Sequence, residues 1–398
     1  MPARSRNPVL EGRVCLSYAP RFVGGPIHYR EEGMTSAPSC AAWRRRSSRR
    51  PLCLHAVPLL ISLLALSCGD DSVSPDQTDD SLEVVSPEEV GWSSEKLQAV
   101  DDMAADLGYS AMVFARDGKV FHEWGEVTRN YLCHSIRKPF LGALYGIHVA
   151  RGDIDLDATL EDLGIDDIPP SLTAPEKTAT VRQLLQSRSG VYHVAAAETE
   201  EMSAARPERG SHAPGTFFYY NNWDFNALGT IFEQETQSGI FGDFATEIAI
   251  PLGMEHFAID SCLYALEPEK SMHPAYSFRM SARDMARFGI LFEQQGVWHG
   301  KRIIPAAWIE ESTQTYSIED SASGVGYGYM WKTIPEGSAA AEILGFSGYM
   351  HTGVGVHALV IVPDLQLVVV QRYDTDGEWE DPGDATVALA QMILDAQL

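Results

Sequence analysis

The sequence predicts an α+β fold: an antiparallel sheet flanked by N- and C-terminal helices, with a large helical insertion between its parts. Three observations predict it. Apolar runs at 110–116 and 119–124 are joined by Asp117-Gly118, a strong two-residue hairpin signal. Two further apolar runs, 354–362 and 365–372, meet around Pro363-Asp364 and read as a second hairpin. Between them, from Arg151 to about Ser271, the chain is loop-rich and helical, broken by Pro169-Pro170.

The elements follow in chain order. Ser93 or Ser94 caps a helix running to 107, with Gly108 as its stop. After the first hairpin a helix starts near Ser135 and runs to about 150. Thr180 caps a short helix at 181–187, and 226–235 and 242–250 have helical spacing. Ser281 caps a helix over 280–289, with Asp284 in its first turn. Residues 326–332 are a strand candidate, and a final helix covers 385–396. No internal repeat occurs.

Composition narrows the function. A chain of 398 residues that is 45% hydrophobic and 21% charged is neither disordered nor collagen-like. A net charge of −25 excludes the basic surface that nucleic-acid binding needs and argues against charge-driven docking on anionic lipid. The charge is uneven: residues 1–68 hold ten Arg, no Lys and three Glu, which leaves 20 basic and 52 acidic residues in the rest.

That asymmetry marks a targeting segment ahead of a soluble body. Five arginines at 44–50 precede an apolar run, 52–66, too short to span a bilayer and interrupted by His55 and Pro58. Ala65-Leu66-Ser67-Cys68 resembles a bacterial lipobox, with Cys68 as the lipidated residue; ordinary secretion is the alternative. The start lies at Met1 or, for a signal of ordinary length, at Met34. Residues 1–68 are thus read as signal segment and 69–86 as an acidic, flexible tether. The protein is expected to be exported, in the periplasm or at the cell surface, touching the membrane only through a lipid on Cys68. Cys133 and Cys262 remain in the body and read as free thiols. No His-Glu-x-x-His or paired Cys-x-x-Cys occurs, so no metal or other cofactor is expected.

Three short patterns carry chemistry. Ser135-Ile136-Arg137-Lys138 places Ser135 and Lys138 one helical turn apart on one face, so the amine reaches the hydroxyl. Burial or neighbouring positive charge lowers a lysine pKa enough to make it a base, and a helix N-terminus offers N–H groups to an oxyanion. Tyr220 and Asn222 form Tyr-x-Asn on a loop. A phenol shuttles a proton if a nearby ammonium lowers its pKa, and an amide holds Lys138 or a substrate carbonyl. His351-Thr352-Gly353 precedes the 354–362 strand, and its glycine lets substrate approach the backbone. Each pattern alone is what a surface helix start, an aromatic packing loop or a turn also gives.

Together, in this order, they resemble the serine β-lactamase-related hydrolases: class C β-lactamases, DD-peptidases and the esterases and amidases of that group. The resemblance covers about residues 87–398. Supporting stretches are Thr180–Leu185 before Ser189-Gly190, Pro251-Leu252-Gly253-Met254, Met280–Gly289, and Gly326-Tyr327-Gly328-Tyr329 before Trp331. It implies an α+β lobe from 87–150 with 272–398, and a helical lobe at 151–271. It implies roles too. Ser135 matches the nucleophile, Lys138 its activating partner, Tyr220 the general base and acid, and Asn222 the positioning amide. His351, Thr352 and Gly353 line the substrate edge, and the N–H groups of Ser135 and Val354 form the oxyanion hole. The implied reaction is acyl transfer to Ser135 followed by hydrolysis.

Two departures shape the expectation. Pro139 follows Lys138, so the helix must begin close to Ser135. His351 stands where true β-lactamases carry the lysine that holds the substrate carboxylate, and a neutral imidazole holds an anion poorly. The leading expectation is therefore an esterase or amidase. A D-amino-acid or cell-wall peptidase, a β-lactamase, and a penicillin-binding-like protein without turnover are the alternatives. The partner is a small-molecule ester or amide, or a peptide. His134 and Gly345-Phe346-Ser347-Gly348 read as decoys, the latter because a Gly-x-Ser-x-Gly elbow would need glycine at 349. Tyr192, His193, Trp223, Asp224 and Trp331 are candidates for the pocket wall.

Overall fold

A computed structural model describes residues 81–398. An eight-stranded antiparallel sheet organises them. Its strands are β1 (Tyr109–Arg116), β2 (Lys119–Gly125), β3 (Ser317–Ile318), β4 (Gly326–Tyr327), β5 (Lys332–Ile334), β6 (Gly348–Gly353), β7 (His357–Val362) and β8 (Leu367–Tyr373), in the spatial order β2-β1-β8-β7-β6-β5-β4-β3. The two predicted hairpins, β1–β2 and β7–β8, form one side of this sheet. Asp117 (φ 48°) and Gly118 (φ 75°) both take the left-handed conformation, which a two-residue hairpin turn requires.

Helices cover both faces. α1 (Ser94–Asp106) and the C-terminal α5 (Ala385–Asp395) pack on one, through Leu97, Val100, Leu389 and Ile393 against Met112 and Phe114. α4 (Ala282–Glu293) covers the other, through Met285, Phe288 and Phe292 against Val113, Val368 and Leu359. Alternate residues of β1 serve the two cores, the period a strand imposes. Each fully buried aromatic or branched side chain contributes about 1.5–3 kcal/mol. The second core continues without a break into the helices between β2 and β3, chiefly α2 (Arg137–Arg151) and α3 (Asn222–Thr236).

Several boundaries differ from the sequence reading, each for a local reason. The 326–332 strand is two short strands, because Met330 (φ 60°) turns the chain between them. α3 begins at Asn222, four residues before the periodic run, because Asn221 caps it by accepting from Trp223 N at 3.1 Å. His351-Thr352-Gly353 is not a turn entering the next strand but the end of a strand of its own; Gly355 and Val356 make the turn. Part of the proposed tether joins the fold. Leu82 is buried, and Val85 N donates to Val120 O at 2.9 Å, so Val84 makes an isolated parallel bridge beside β2. Cys68, the signal segment and residues 69–80 lie outside the described residues. Among those described, no helix is long and apolar enough to cross a membrane.

Candidate active site

Ser135 lies on one 3₁₀ turn, His134–Ile136, that leads directly into α2. Pro139 is the third residue of that helix, where its missing N–H costs nothing. The approach to Ser135 is held from behind. Arg372 of β8 is fully buried and donates to the carbonyls of Tyr131 (2.9 Å) and Leu132 (3.3 Å). The end of β6 presses on the same segment, since a Cβ on Gly353 would sit 2.8 Å from Cys133 O. Glycine at 353 is thus needed for close approach.

The helical spacing delivers Lys138 to Ser135: its Nζ donates to Ser135 Oγ at 2.9 Å. Lys138 is 1% exposed. Its Nζ lies 4.7 Å from the Tyr220 ring centroid and 4.8 Å from that of Phe225. No carboxylate among the described residues bonds to it. Burial therefore pushes the ammonium well below the usual lysine range, and the charges of Arg137 and Lys332 push it further. A neutral amine against a serine hydroxyl is a proton acceptor.

The Ser135 hydroxyl lies near enough to Tyr220 to favour its phenolate. The condition for a phenol to act as a base, a pKa lowered by a nearby ammonium, is not met here. Burial raises the phenol far above its ordinary value and outweighs the Ser135 hydroxyl and the Arg137 charge. The reason is consistent with Lys138: an amine that is itself uncharged stabilises no phenolate. Tyr220 therefore keeps its proton, while Lys138 gives its proton up readily.

His351 is fully buried, with its ring centroid 6.4 Å from that of Tyr220. Its Nδ1 bonds Thr352 O at 2.8 Å, which assigns the ring proton to Nδ1 and leaves Nε2 as an acceptor without a protein partner. Burial, with Lys332 adding to it, pushes its pKa well below the usual value, so the imidazole is neutral. Asn222 does not hold Lys138. Its Nδ2 donates to Ala197 O at 2.7 Å, and its Oδ1 is buried without a protein partner. On the far side of β6, β5 pairs only as far as Lys332–Met350, so no described strand pairs there with His351-Thr352-Gly353. Val354 follows directly, at the start of the turn.

This Ser–Lys–Tyr arrangement beside a strand edge has a match in the sequence as a whole: a family model described as Beta-lactamase covers residues 97–391. The chain belongs to the beta-lactamase family. It is a serine hydrolase. No curated protein matches it. A Bacillus anthracis protein described, provisionally, as a 6-aminohexanoate-dimer hydrolase has a similar structure (TM-score 0.60, 18% identity, 79% of this chain and 86% of that one). So does a class C beta-lactamase (0.56, 15%, 76% and 96%). A D-stereospecific amidohydrolase from a Streptomyces species is a third (0.54, 20%, 77% and 98%). At these identities the likeness is one of fold.

Within this beta-lactamase-family fold the decoys behave as decoys. His134 Nε2 bonds Thr375 Oγ1 at 2.8 Å, away from Ser135. Gly345 ends a short helix and Gly348 begins β6, so no strand-to-helix elbow exists there. The proposed wall residues bond elsewhere. Trp223 and His193 face Asp167, Asp224 bonds Ser189 and Asn221, and Trp331 packs on Phe292 and Tyr349. Tyr192 packs edge-on against Tyr219. Cys133 is buried and Cys262 half-buried, both as free thiols.

Sequence reasoning missed four residues of the site. Arg137, inside the Ser-x-x-Lys stretch, lies over the Tyr276 ring at 4.2 Å and donates to Asn226 Oδ1 at 2.9 Å. Lys332 Nζ bonds Glu319 Oε1 at 2.6 Å and lies 5.5 Å from the Tyr220 ring centroid. Lys332 directly follows Trp331 in an aromatic run, and a lysine in such a run was the available signal. Arg372 carried the same signal at the end of the apolar 365–372 run.

Proposed function

We propose that this chain hydrolyses a linear ester or amide through an acyl-enzyme on Ser135. The observation that carries the reading is the 2.9 Å hydrogen bond from the buried Lys138 amine to Ser135 Oγ, with the Tyr220 ring centroid 4.7 Å from that amine. Neutral Lys138 takes the Ser135 proton as Oγ attacks the carbonyl carbon. The N–H groups of Ser135 and Val354 receive the oxyanion. Tyr220 gives its proton to the leaving group and recovers one from Lys138. Water then releases the acyl group by the same relay in reverse.

The preference for linear esters and amides over β-lactams rests on charge. His351 is neutral, and the nearby Lys332 is engaged by Glu319, so neither offers a spare cation to a β-lactam carboxylate. Two of the structurally similar proteins, described as a 6-aminohexanoate-dimer hydrolase and a D-stereospecific amidohydrolase, support this choice. Export with a lipid on Cys68 remains the best reading of the N-terminal sequence.

The test is intact mass after treatment with a fluorophosphonate and, separately, with a penicillin, on the protein and on Ser135→Ala. Phosphonylation of the unsubstituted protein alone, mapped to Ser135, with no lasting penicilloyl adduct, is the expected result. A lasting penicilloyl adduct would favour the cell-wall peptidase. Absence of both adducts would refute the reading.

A further inference from the structure

Two lysines lie against one tyrosine ring. Lys138 Nζ is 4.7 Å from the Tyr220 ring centroid and Lys332 Nζ is 5.5 Å from it. Lys332 opens β5, on the last rung before the unpaired stretch of β6 begins, and its side chain is 10% exposed. It reaches Glu319, one residue past β3, at 2.6 Å. The other Glu319 oxygen is buried with no protein partner, so the carboxylate is not shared with a second cation. A buried ion pair is weak evidence of stability, because desolvation offsets most of the attraction. Its place beside the Ser135–Lys138–Tyr220 group calls for another role.

We infer that Lys332 and Glu319 are positioning residues that set, in opposite directions, the pH at which the Lys138 amine becomes a proton acceptor. This rests on the reading that Lys138 activates Ser135. Five sets of groups face Lys138: Ser135 and Arg137 from its own segment, Tyr220 and Phe225 from the α3 region, His351 from β6, Lys332 from β5 and Glu319 beyond β3. His351 is neutral, so Arg137, Lys332 and Glu319 carry the charge. Lys332 disfavours a second ammonium at Lys138, and Glu319 favours one. The bond between them keeps the two effects in balance. At most roughly 10 Å separates the two amines, given their distances from one ring. Unit charges at that separation shift each other by about one pH unit at a protein's effective dielectric.

The test is the rate of Ser135 phosphonylation by a fluorophosphonate across pH, read by intact mass. Reaction needs uncharged Lys138, so the rate falls as pH drops through the Lys138 pKa. Lys332→Met leaves Glu319 uncompensated and should move this acid limb up by about one pH unit. Glu319→Gln leaves Lys332 uncompensated and should move it down by a similar amount. The double variant and Lys332→Arg should return it close to the original. A merely structural role would lower the rate without moving the limb in opposite directions. If Lys332→Met does not fold, Glu319→Gln and the double variant carry the same contrast. A limb that stays fixed, or moves the same way in both single variants, would overturn this inference alone. No labelling of the unsubstituted protein at any pH would overturn the proposed function and this inference with it.

Discussion

Two buried polar clusters in this molecule are built in opposite ways. Asp167, in the helical region, has a fully buried side chain that accepts from Ile168 N (2.7 Å), Met272 N (2.8 Å), Ser271 Oγ (2.6 Å) and Trp223 Nε1 (2.6 Å). Burial alone would raise its pKa, but these donors together outweigh burial and hold it below the usual carboxylate value. The cluster around Ser135 is incompletely paired. Lys138 has no counter-ion bonded to it, and Asn222 Oδ1, His351 Nε2 and Glu319 Oε2 are buried without protein partners. A saturated cluster ties segments together. An unsaturated one leaves proton acceptors and charge available to a reaction. The same residue types serve stability in one place and chemistry in the other.

Substitutions sharpen that contrast, beginning with the largest effect. Ser135→Ala should reduce turnover of p-nitrophenyl butyrate by at least roughly 10³-fold, with little change in thermal midpoint. Lys138→Met should lower turnover by roughly 10²–10⁴-fold while the midpoint holds or rises, because a buried polar amine is replaced by an apolar chain of similar length. Asp167→Asn should do the reverse. Urea unfolding should show a loss of about 3 kcal/mol, with turnover per folded molecule nearly intact. The Asp167 contribution also has a pH signature. Its folded pKa lies below the unfolded value of about 3.9, so its stabilisation is present above that value and is lost as pH falls through the folded one. Asn222→Ala should have the smallest effect, about tenfold or less in kcat/KM. It removes an acceptor without a hydrogen-bond partner and the Nδ2 bond to Ala197 O, but leaves the Lys138–Ser135 bond alone.

Legibility in the sequence followed the range of the interaction. The Asp117-Gly118 hairpin, the Ser93 cap and the Ser135–Lys138 spacing are local, and all could be read from a few adjacent residues. Tyr220 reaches Ser135 across 85 positions, and its place could be read only through the resemblance to a family. The Glu319–Lys332 pair had no such motif behind it. It depends on β4 turning back between the two residues, a register that short strands do not announce. Proton affinities were the least legible. A charged lysine beside Tyr220 would lower its pKa, yet the depth of burial that discharges Lys138 is a property of the whole core.

Measuring phosphonylation rate and thermal midpoint together on Lys138→Met and Asp167→Asn tests the contrast between the two clusters most directly. The expected result is a crossing. Lys138→Met loses labelling of Ser135 and keeps its midpoint, while Asp167→Asn loses midpoint and keeps labelling at temperatures where it is folded. If both variants lost labelling and midpoint in proportion, the division between a structural cluster and a chemical one would be contradicted.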